Sequence, residues 1–283
     1  MTTNGFDEQA LDAAYRKALA AEKAGRTEAA ATAYRACLGI DPDDHVGARL
    51  RLAALGVGET PPSAGEAYVT TLFDQQAEAF EDILVGQLGY GVPGLIGETL
   101  ARLGFEHFDR ALDLGCGTGL VGTVLDGRVD EMLGIDLSEN MIEIAFDSGA
   151  YDHLYIGEAL GFLEDFDEPE PFDVILAADV LPYLGDLAPL FSLAATRLAP
   201  RGLFVASTEA LADMAGDGAA KGANAETGFA VGSDHRFHHG ESYVRAALEG
   251  AGFELVAFEP ITVRMQEGEP APGHLFVARR TGG

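Results

Sequence analysis

The stretch that decides the fold is ALDLGCGTG, residues 111–119. Its apolar first half is typical of a buried strand, which ends at Leu114 and turns through three glycines into a helix. Glycines let the backbone approach a ligand without Cβ clashes, and a helix N-terminus presents free N–H groups. Seventeen residues after Gly119, a second apolar run ends at Asp136, where a carboxylate can hold the hydroxyls of a ribose. The pattern therefore predicts a site for a ligand that contains a nucleoside.

Apolar runs and helical patterns alternate on both sides of this motif. Strands are predicted at 109–114, 131–136, 152–156, 172–178, 201–207, 253–258 and 274–279. Helices are predicted at 66–88, 93–103, 118–126, 138–147, 158–165, 186–199 and 240–251. This alternation predicts a doubly wound parallel α/β sheet whose last two strands pair antiparallel at one edge. A surface loop is predicted over residues 211–234.

The N-terminus has a different pattern. Residues 7–39 predict two helices that meet at Gly25, and a third helix is predicted over residues 44–55. Helix, glycine, helix and then Pro42 resembles a tetratricopeptide (TPR) repeat of 34 residues, spanning about residues 11–44. One and a half repeats cannot bury their own core. This segment must therefore pack on the rest of the chain, on a second copy or on a partner, and a plain helical hairpin used as a brace is the alternative.

Composition divides the chain into three parts. Residues 1–55 are the helical TPR-like segment, GVGETPPSAG at 56–65 is a linker, and 66–283 form the α/β domain. The α/β domain divides again into N-terminal lid helices at 66–104 and a sheet core at 105–283.

The net charge of −28 decides which partners are excluded. Such a field repels phosphate backbones and anionic lipid, so binding to nucleic acid or to a membrane surface is not expected. Two cysteines cannot form a disulfide framework, and the first residues, MTTNGFDEQ, lack the basic and apolar regions of a signal peptide. We therefore expect an acidic protein of the cytoplasm.

Two ligand classes use a glycine loop of this kind. GTGLVG, Gly117–Gly122, also fits the dinucleotide fingerprint, which favours a nicotinamide-dependent oxidoreductase. In that fingerprint, however, the strand runs almost directly into the first glycine, whereas here Gly115 opens the loop earlier. Asp113 would also repel a pyrophosphate. The complete strand and loop therefore favour a ligand that offers Asp113 an ammonium or a ribose group.

The string DLGCGTG, followed by GIDLSENMIEIA, FDVILAADVLPYLGDL and a glycine-led fifth strand, resembles the class I S-adenosylmethionine (SAM)-dependent methyltransferases over about residues 66–281. The whole chain resembles a bacterial group of methyltransferases that carry an N-terminal TPR segment. The resemblance implies a Rossmann-like sheet of seven strands and transfer of a methyl group from SAM to a small-molecule or protein acceptor. A protein partner bound through the TPR-like segment is possible under this resemblance.

The resemblance also implies roles for individual residues. The methionine part of SAM is expected against Asp113, Gly115, Cys116, Gly117 and Gly119. Asp136 is expected to hold the ribose hydroxyls, with Leu137 and Met141 beside the adenine. The adenine amine is expected near Glu158 and Ala159, although glutamate departs from the shorter acid usual there. Asp179 and Val180 are expected to face the methyl donor and the incoming acceptor.

Two residues are candidates for an acceptor-side role. Tyr183 follows the fourth strand, and His239 precedes the last helix, where it is a candidate weak base. His235, His238 and His239 together resemble metal ligands, but no acidic partner stands at ligand spacing, so no metal site is predicted.

Aromatic residues at 73, 80 and 90 have two interpretations, a lid over the site or packing of a helix on the core. The function also has an alternative: a non-catalytic SAM-binding adaptor that recruits a partner through its TPR-like segment.

Overall fold

The computed structural model describes residues 5–211 and 228–282. Nine strands occur in these ranges: β1 (Phe108–Leu114), β2 (Val129–Asp136), β3 (His153–Ile156), β4 (Phe172–Ala177), β5 (Leu198–Ala210), β6 (Phe229–Val231), β7 (Phe237–His239), β8 (Phe253–Gln266) and β9 (Glu269–Arg280). The first five strands pair in parallel in the order β3-β2-β1-β4-β5. Strand β9 then pairs antiparallel with both β5 and β8. The predicted doubly wound parallel sheet and its antiparallel edge are confirmed.

The prediction of seven strands was wrong. Two strands of three residues each, β6 and β7, form an additional antiparallel hairpin. Strand β7 pairs in parallel with the end of β5, where Glu209 is opposite His238, beyond the last residue at which β4 pairs with β5. The loop predicted over residues 211–234 was therefore wrong for Phe229–Val231, because strands this short show no periodicity in sequence. Residues 212–227 of that prediction lie outside the described residues.

Ten α-helices flank the sheet and form the N-terminus of the described chain: α1 (Glu8–Lys23), α2 (Thr27–Ile40), α3 (Ala48–Ala54), α4 (Glu66–Gln76), α5 (Val92–Arg102), α6 (Leu120–Val124), α7 (Glu139–Ser148), α8 (Ala159–Asp165), α9 (Ala188–Arg197) and α10 (Glu241–Gly250). Local chemistry fixes several ends. Ser138 caps α7 by accepting the N–H of Met141, and Gly149 ends that helix in the left-handed conformation.

One predicted helix is not continuous. Helix α4 ends at Gln76, and a 3₁₀ turn (Ala77–Ala79) and a π-helical turn (Asp82–Gln87) follow, in place of the single helix predicted over residues 66–88. The carbonyl of Leu88 accepts the N–H of Met265 from β8, so a tertiary hydrogen bond holds the end of this segment. These turns lie beside the ligand cavity described below.

The hydrophobic core lies on both faces of the sheet. Successive residues of a strand point to opposite faces, so Leu112 and Leu114 of β1 pack with one cluster and Ala111 with the other. Helices α8, α9 and α10 cover the first face, and α5 and α6 cover the second. All three of these β1 side chains are fully buried.

The N-terminal region is helical, and it packs on the α/β domain. Leu50 and Ala53 of α3 form a buried cluster with Val231 of β6 and Phe237 of β7. Arg51 extends the contact, because its guanidinium lies 3.2 Å from Nε2 of His235 and 3.3 Å from Oε2 of Glu22. Of the three packing partners considered for this segment, the structure shows the rest of the chain. Within the described ranges, no helix combines the length and apolar character that crossing a membrane requires.

Candidate methyl-donor and acceptor site

The glycine loop joins β1 to α6 and forms one end of a cavity. Gly115 has a φ of 62°, which favours glycine, and a Cβ there would lie 2.5 Å from Cγ2 of Val180. The absence of a side chain thus allows the loop after β1 to approach the loop after β4. Gly119, with a φ of 94°, is the N-cap residue of α6.

Asp136 orders this loop from the end of β2. Its Oδ2 accepts the N–H of Gly117 at 2.9 Å, and its Oδ1 accepts the N–H of Ser138 at 2.9 Å. Burial raises the pKa of this carboxyl group, while the backbone N–H groups of Ser138 and Gly117 oppose that rise. Each carboxylate oxygen retains a lone pair, so Asp136 can accept two further hydrogen bonds from a ligand.

Asp113 lies beneath the loop and not in the cavity wall. It is fully buried, and its Oδ2 accepts the hydroxyl of Tyr151 at 2.7 Å. Burial raises the pKa of Asp113 to about 7, against the lowering effect of the Tyr151 hydrogen bond. Sequence reasoning missed Tyr151, since it lies 38 residues from Asp113.

Tyr151 also explains the match to the dinucleotide fingerprint. The N–H of Gly122 donates to the Tyr151 hydroxyl at 3.1 Å, and a Cβ on Gly122 would lie 2.6 Å from Cζ of the ring. The third glycine of GTGLVG is therefore required by packing on a tyrosine. It provides no evidence for a pyrophosphate.

The cavity has a volume of about 460 Å³, within the range usual for small-molecule sites. Ten of the predicted site residues line it: Gly115, Cys116, Gly117, Asp136, Leu137, Glu158, Ala159, Asp179, Val180 and Tyr183. Asp113, Gly119 and Met141 lie behind the wall, where Met141 is fully buried. Met141, which was expected beside the adenine, thus packs beneath the cavity wall.

Glu158 has a local structural role as well as a place in the wall. It caps α8, since its Oε2 accepts the N–H of Gly161 at 2.7 Å. Its other oxygen remains for a ligand.

Residues of the segment after the linker cover the cavity. Phe73 of α4 makes edge-to-face contacts with Phe80 and Tyr183, at centroid distances of 6.0 and 5.3 Å. Asp74 accepts the hydroxyl of Ser138 at 2.6 Å and so ties α4 to the loop after β2. Tyr90 lines the cavity and is 7% exposed, so it packs in the core as one of the two interpretations expected.

The other end of the cavity is held by an arginine that sequence reasoning missed. Arg236, between β6 and β7, places Nη2 at 2.5 Å from Oδ1 of Asp179 and donates through Nη1 to the hydroxyl of Tyr183 at 2.6 Å. Its Nε lies 2.6 Å from Oε1 of Glu209, which also pairs with Arg264. Burial raises the pKa of Tyr183, although Arg236 opposes this. No signal in the linear sequence relates these residues.

The assignment of His239 to the acceptor side is corrected. His239 is fully buried and absent from the cavity wall, and its Nε2 donates to the carbonyls of Leu184 and Gly185 at 2.9 and 3.2 Å. Burial lowers its pKa to about 4, so the ring is neutral near pH 7. His239 therefore anchors the loop after β4.

His238 points away from His239, as expected for neighbours in a strand. Its Nε2 lies 3.0 Å from Oδ1 of Asp234, with Glu209 nearby, so the fold supplies the acidic partners that were not expected from the spacing in the sequence. Both carboxylates also face arginines, and this makes the group an ion-pair network. The fold brings Glu209 from β5 to the hairpin, which no spacing in the sequence reveals.

The residues of the cavity fit the SAM that the resemblance implies. Thr118 lines the wall with a buried hydroxyl that has no hydrogen-bond partner, and Asp113 behind it has a second such atom, Oδ1. Asp136 has acceptor capacity for a diol. Within residues 5–211 and 228–282, no arginine, lysine or histidine lines the cavity, which suits a ligand with positive sulfonium and ammonium groups.

Comparisons with known proteins agree with this geometry. The profile of a family described as a methyltransferase domain matches residues 89–257. The ubiquinone biosynthesis O-methyltransferase of Bradyrhizobium diazoefficiens is 34% identical over 99 residues, which are 35% of this chain and 39% of that protein. The protein of the same name from Maricaulis maris is 29% identical over 184 residues, 62% of this chain and 72% of the relative. The chain thus spans about two fifths of the length of the first relative.

A solved structure gives the same fold. The S-adenosylmethionine-dependent methyltransferase from Clostridium acetobutylicum ATCC 824 has a TM-score of 0.53 and 15% identity, over 75% of this chain and all of that one. The matched profile covers more than half of the chain and includes the glycine loop, Asp136 and the loop after β4. The chain therefore belongs to this methyltransferase-domain family.

Proposed function

We propose that this protein is a SAM-dependent methyltransferase that acts on a small apolar molecule, which enters the cavity beside SAM. The observation that supports the proposal is that one continuous cavity joins the donor end, at Gly117 and Asp136, to an apolar end at Val69, Phe73 and Tyr183. A non-catalytic adaptor would have no use for this second, apolar end.

When bound, SAM supplies a methyl group on a sulfonium sulfur. Transfer of this methyl group leaves a neutral thioether. The protein has to place donor and acceptor in line, and such positioning contributes up to about 7–11 kcal/mol. Asp136 and Glu158 hold the nucleoside end. Phe73, Phe80 and Tyr90 cover the cavity and exclude water from the reacting groups.

Tyr183 is the residue that we assign to positioning the acceptor. Its oxygen accepts an N–H from Arg236, so its own proton points elsewhere and is available to a group in the cavity. Its raised pKa keeps that proton on the phenol near pH 7. Tyr183 would thus act as a hydrogen-bond donor to the acceptor and not as a base.

The names of the matched relatives guide the choice of acceptor group. Both are called O-methyltransferases, so a hydroxyl is the first group to screen. Because the identity is low and the coverage is partial, these names set only the order in which acceptor groups are screened.

The apolar end of the cavity, at Val69, Phe73 and Tyr183, is called the acceptor end below. We infer that the TPR-like segment braces this acceptor end. Arg51 and Glu22 meet His235 at the tip of the β6–β7 hairpin, and the next residue is Arg236, which holds Asp179 and Tyr183. Recruitment of a protein partner through the same helices stays a prediction.

Calorimetric titration tests the donor site first. We expect micromolar binding of SAM and of its product S-adenosylhomocysteine (SAH), and none of NAD. Incubation with SAM that carries a labelled methyl group and a panel of apolar phenols and alcohols then tests transfer, read as label in the product by mass spectrometry. Lack of binding of either sulfur nucleotide by folded protein would refute the proposal.

A further inference from the structure

The charged residues that line the acceptor end of the cavity are acidic. Three acidic residues line this end: Glu66 of α4, Asp179 after β4, and Asp186 before α9. Across the described part of the chain, no basic side chain lines the cavity at all. Asp179 is paired with Arg236, so an anion in this end would meet the negative charge of Glu66 and Asp186 without a basic side chain in the wall, which disfavours its entry.

The nearest guanidinium is already engaged. Arg236 lies behind the ring of Tyr183, with its Cζ 4.7 Å from the ring centroid, and it pairs with Asp179 and Glu209. Only 13% of its side chain is exposed. A buried guanidinium that is matched by two carboxylates has little attraction left for an anionic ligand.

The remaining wall of the acceptor end is apolar and aromatic. Val69, Phe73 and Phe80 lie on the segment that covers the cavity, and Leu184 and Pro189 lie opposite. Such a wall takes an apolar body, and aromatic faces also attract cations. Glu66 and Asp186 are solvent-exposed, so they place negative charge at the mouth of the cavity, close to water.

From these observations we propose that the acceptor has an apolar, ring-sized body whose polar end is neutral or cationic, and that carboxylate- and phosphate-bearing molecules are rejected. The inference rests on the proposed function and adds to it the charge class of the substrate. Selection comes from the acidic mouth and from the neutralisation of Arg236.

Three probes that share one body test the charge class: 3-phenylpropylamine, 3-phenylpropan-1-ol and 3-phenylpropanoate. Binding of each to protein saturated with SAH is measured by saturation-transfer NMR and by competition among the three. We expect the amine to bind at least about tenfold more tightly than the carboxylate, with the alcohol between them. Equal or tighter binding of the carboxylate, or binding of none of the three, would overturn the inference.

Substitutions locate the effect. In the double variant Glu66→Gln with Asp186→Asn, the amine should lose most of its affinity advantage over the carboxylate. The control is Glu249→Gln, at an exposed glutamate of α10 outside the cavity, and there the amine should keep its advantage. Val69→Trp should fill the acceptor end and abolish binding of all probes while SAH still binds. An advantage that survives the double substitution, or probe binding by the tryptophan variant, would contradict the site.

Titration with SAH alone separates this inference from the proposed function. If SAH does not bind the folded protein, the donor site itself is wrong and both proposals fail. If SAH binds and the probes rank in another order, only the charge class fails.

Discussion

The guanidinium of Arg236 lies 2.5 Å from Oδ1 of Asp179, although 57 residues separate them in the chain. The pair connects the β6–β7 hairpin to the wall of the cavity. Asp179 sits at a φ of 60°, a conformation that non-glycine residues seldom adopt, and its N–H donates to the hydroxyl of Ser207. The acceptor end of the site is thus shaped by residues from two distant segments.

Replacing Arg236 should destabilise the protein. Arg236→Gln leaves Asp179 and Glu209 without one shared positive charge, and breaking a buried pair in this way typically costs about 3–5 kcal/mol. We expect a lower free energy of unfolding in urea, and a smaller loss for Arg236→Lys, which keeps the charge but not the planar geometry. If Arg236→Gln unfolds at the wild-type urea concentration, the network does not stabilise the hairpin.

Asp136 should contribute directly to donor affinity. Asp136→Ala removes a carboxylate from the cavity wall and weakens SAH binding by about 1.5–3 kcal/mol, the usual value of a hydrogen bond to a charged group. Calorimetry measures the change, and circular dichroism checks that the variant is folded. Asp130→Ala, on the same strand but with a side chain 68% exposed, is the matched control. Unchanged affinity in folded Asp136→Ala would remove Asp136 from the donor site.

Two glycines of the loop provide a test of close approach. An alanine at position 115 would have a positive φ, and its Cβ would lie 2.5 Å from Val180. An alanine at position 117 would have a positive φ of 55°, but no atom would lie within 4 Å of its Cβ. The left-handed conformation costs about 1–2 kcal/mol for a residue with a Cβ, and only Gly115→Ala adds a clash. We therefore expect a larger fall in unfolding free energy for Gly115→Ala. Equal losses in thermal or urea unfolding would indicate that the Val180 contact gives way freely.

Asp113 should make stability depend on pH. The unfolded chain loses this proton near pH 3.8, while the folded protein retains it up to about pH 7, so the wild type loses stability as pH rises through that window. Asp113→Asn does not titrate. Since one pKa unit corresponds to about 1.4 kcal/mol, the variant should gain roughly 3 kcal/mol relative to wild type between about pH 5 and about pH 8.

Urea unfolding at these two pH values measures the Asp113 effect. Asp130→Asn, at an exposed position, is the control and should show no such gain. A difference between Asp113→Asn and wild type that stays constant with pH would mean that Asp113 is ionised throughout.

The glycine loop and the acid of the proposed donor end could be located from the sequence, because that information is local. ALDLGCGTG combines a strand, a glycine turn and a helix start within nine residues, and Asp136 ends the next strand. Parallel strands put their carboxyl ends at one edge of the sheet, so a motif at the end of β1 and an acid at the end of β2 meet without further information.

The tertiary structure alone decided the apolar end of the cavity and the support of the glycine loop. Tyr151 reaches Asp113, Arg236 reaches Asp179, and His239 turns to the carbonyls of Leu184 and Gly185. These contacts join segments that are 38 to 57 residues apart in the chain. The direction of each side chain depends on the register of the paired strands and on the position of the β6–β7 hairpin. Local periodicity determined the sheet and the glycine loop. Burial and the pairing of distant charges determined which side chains face the other end of the cavity, because burial and ion pairing act only once the chain has folded.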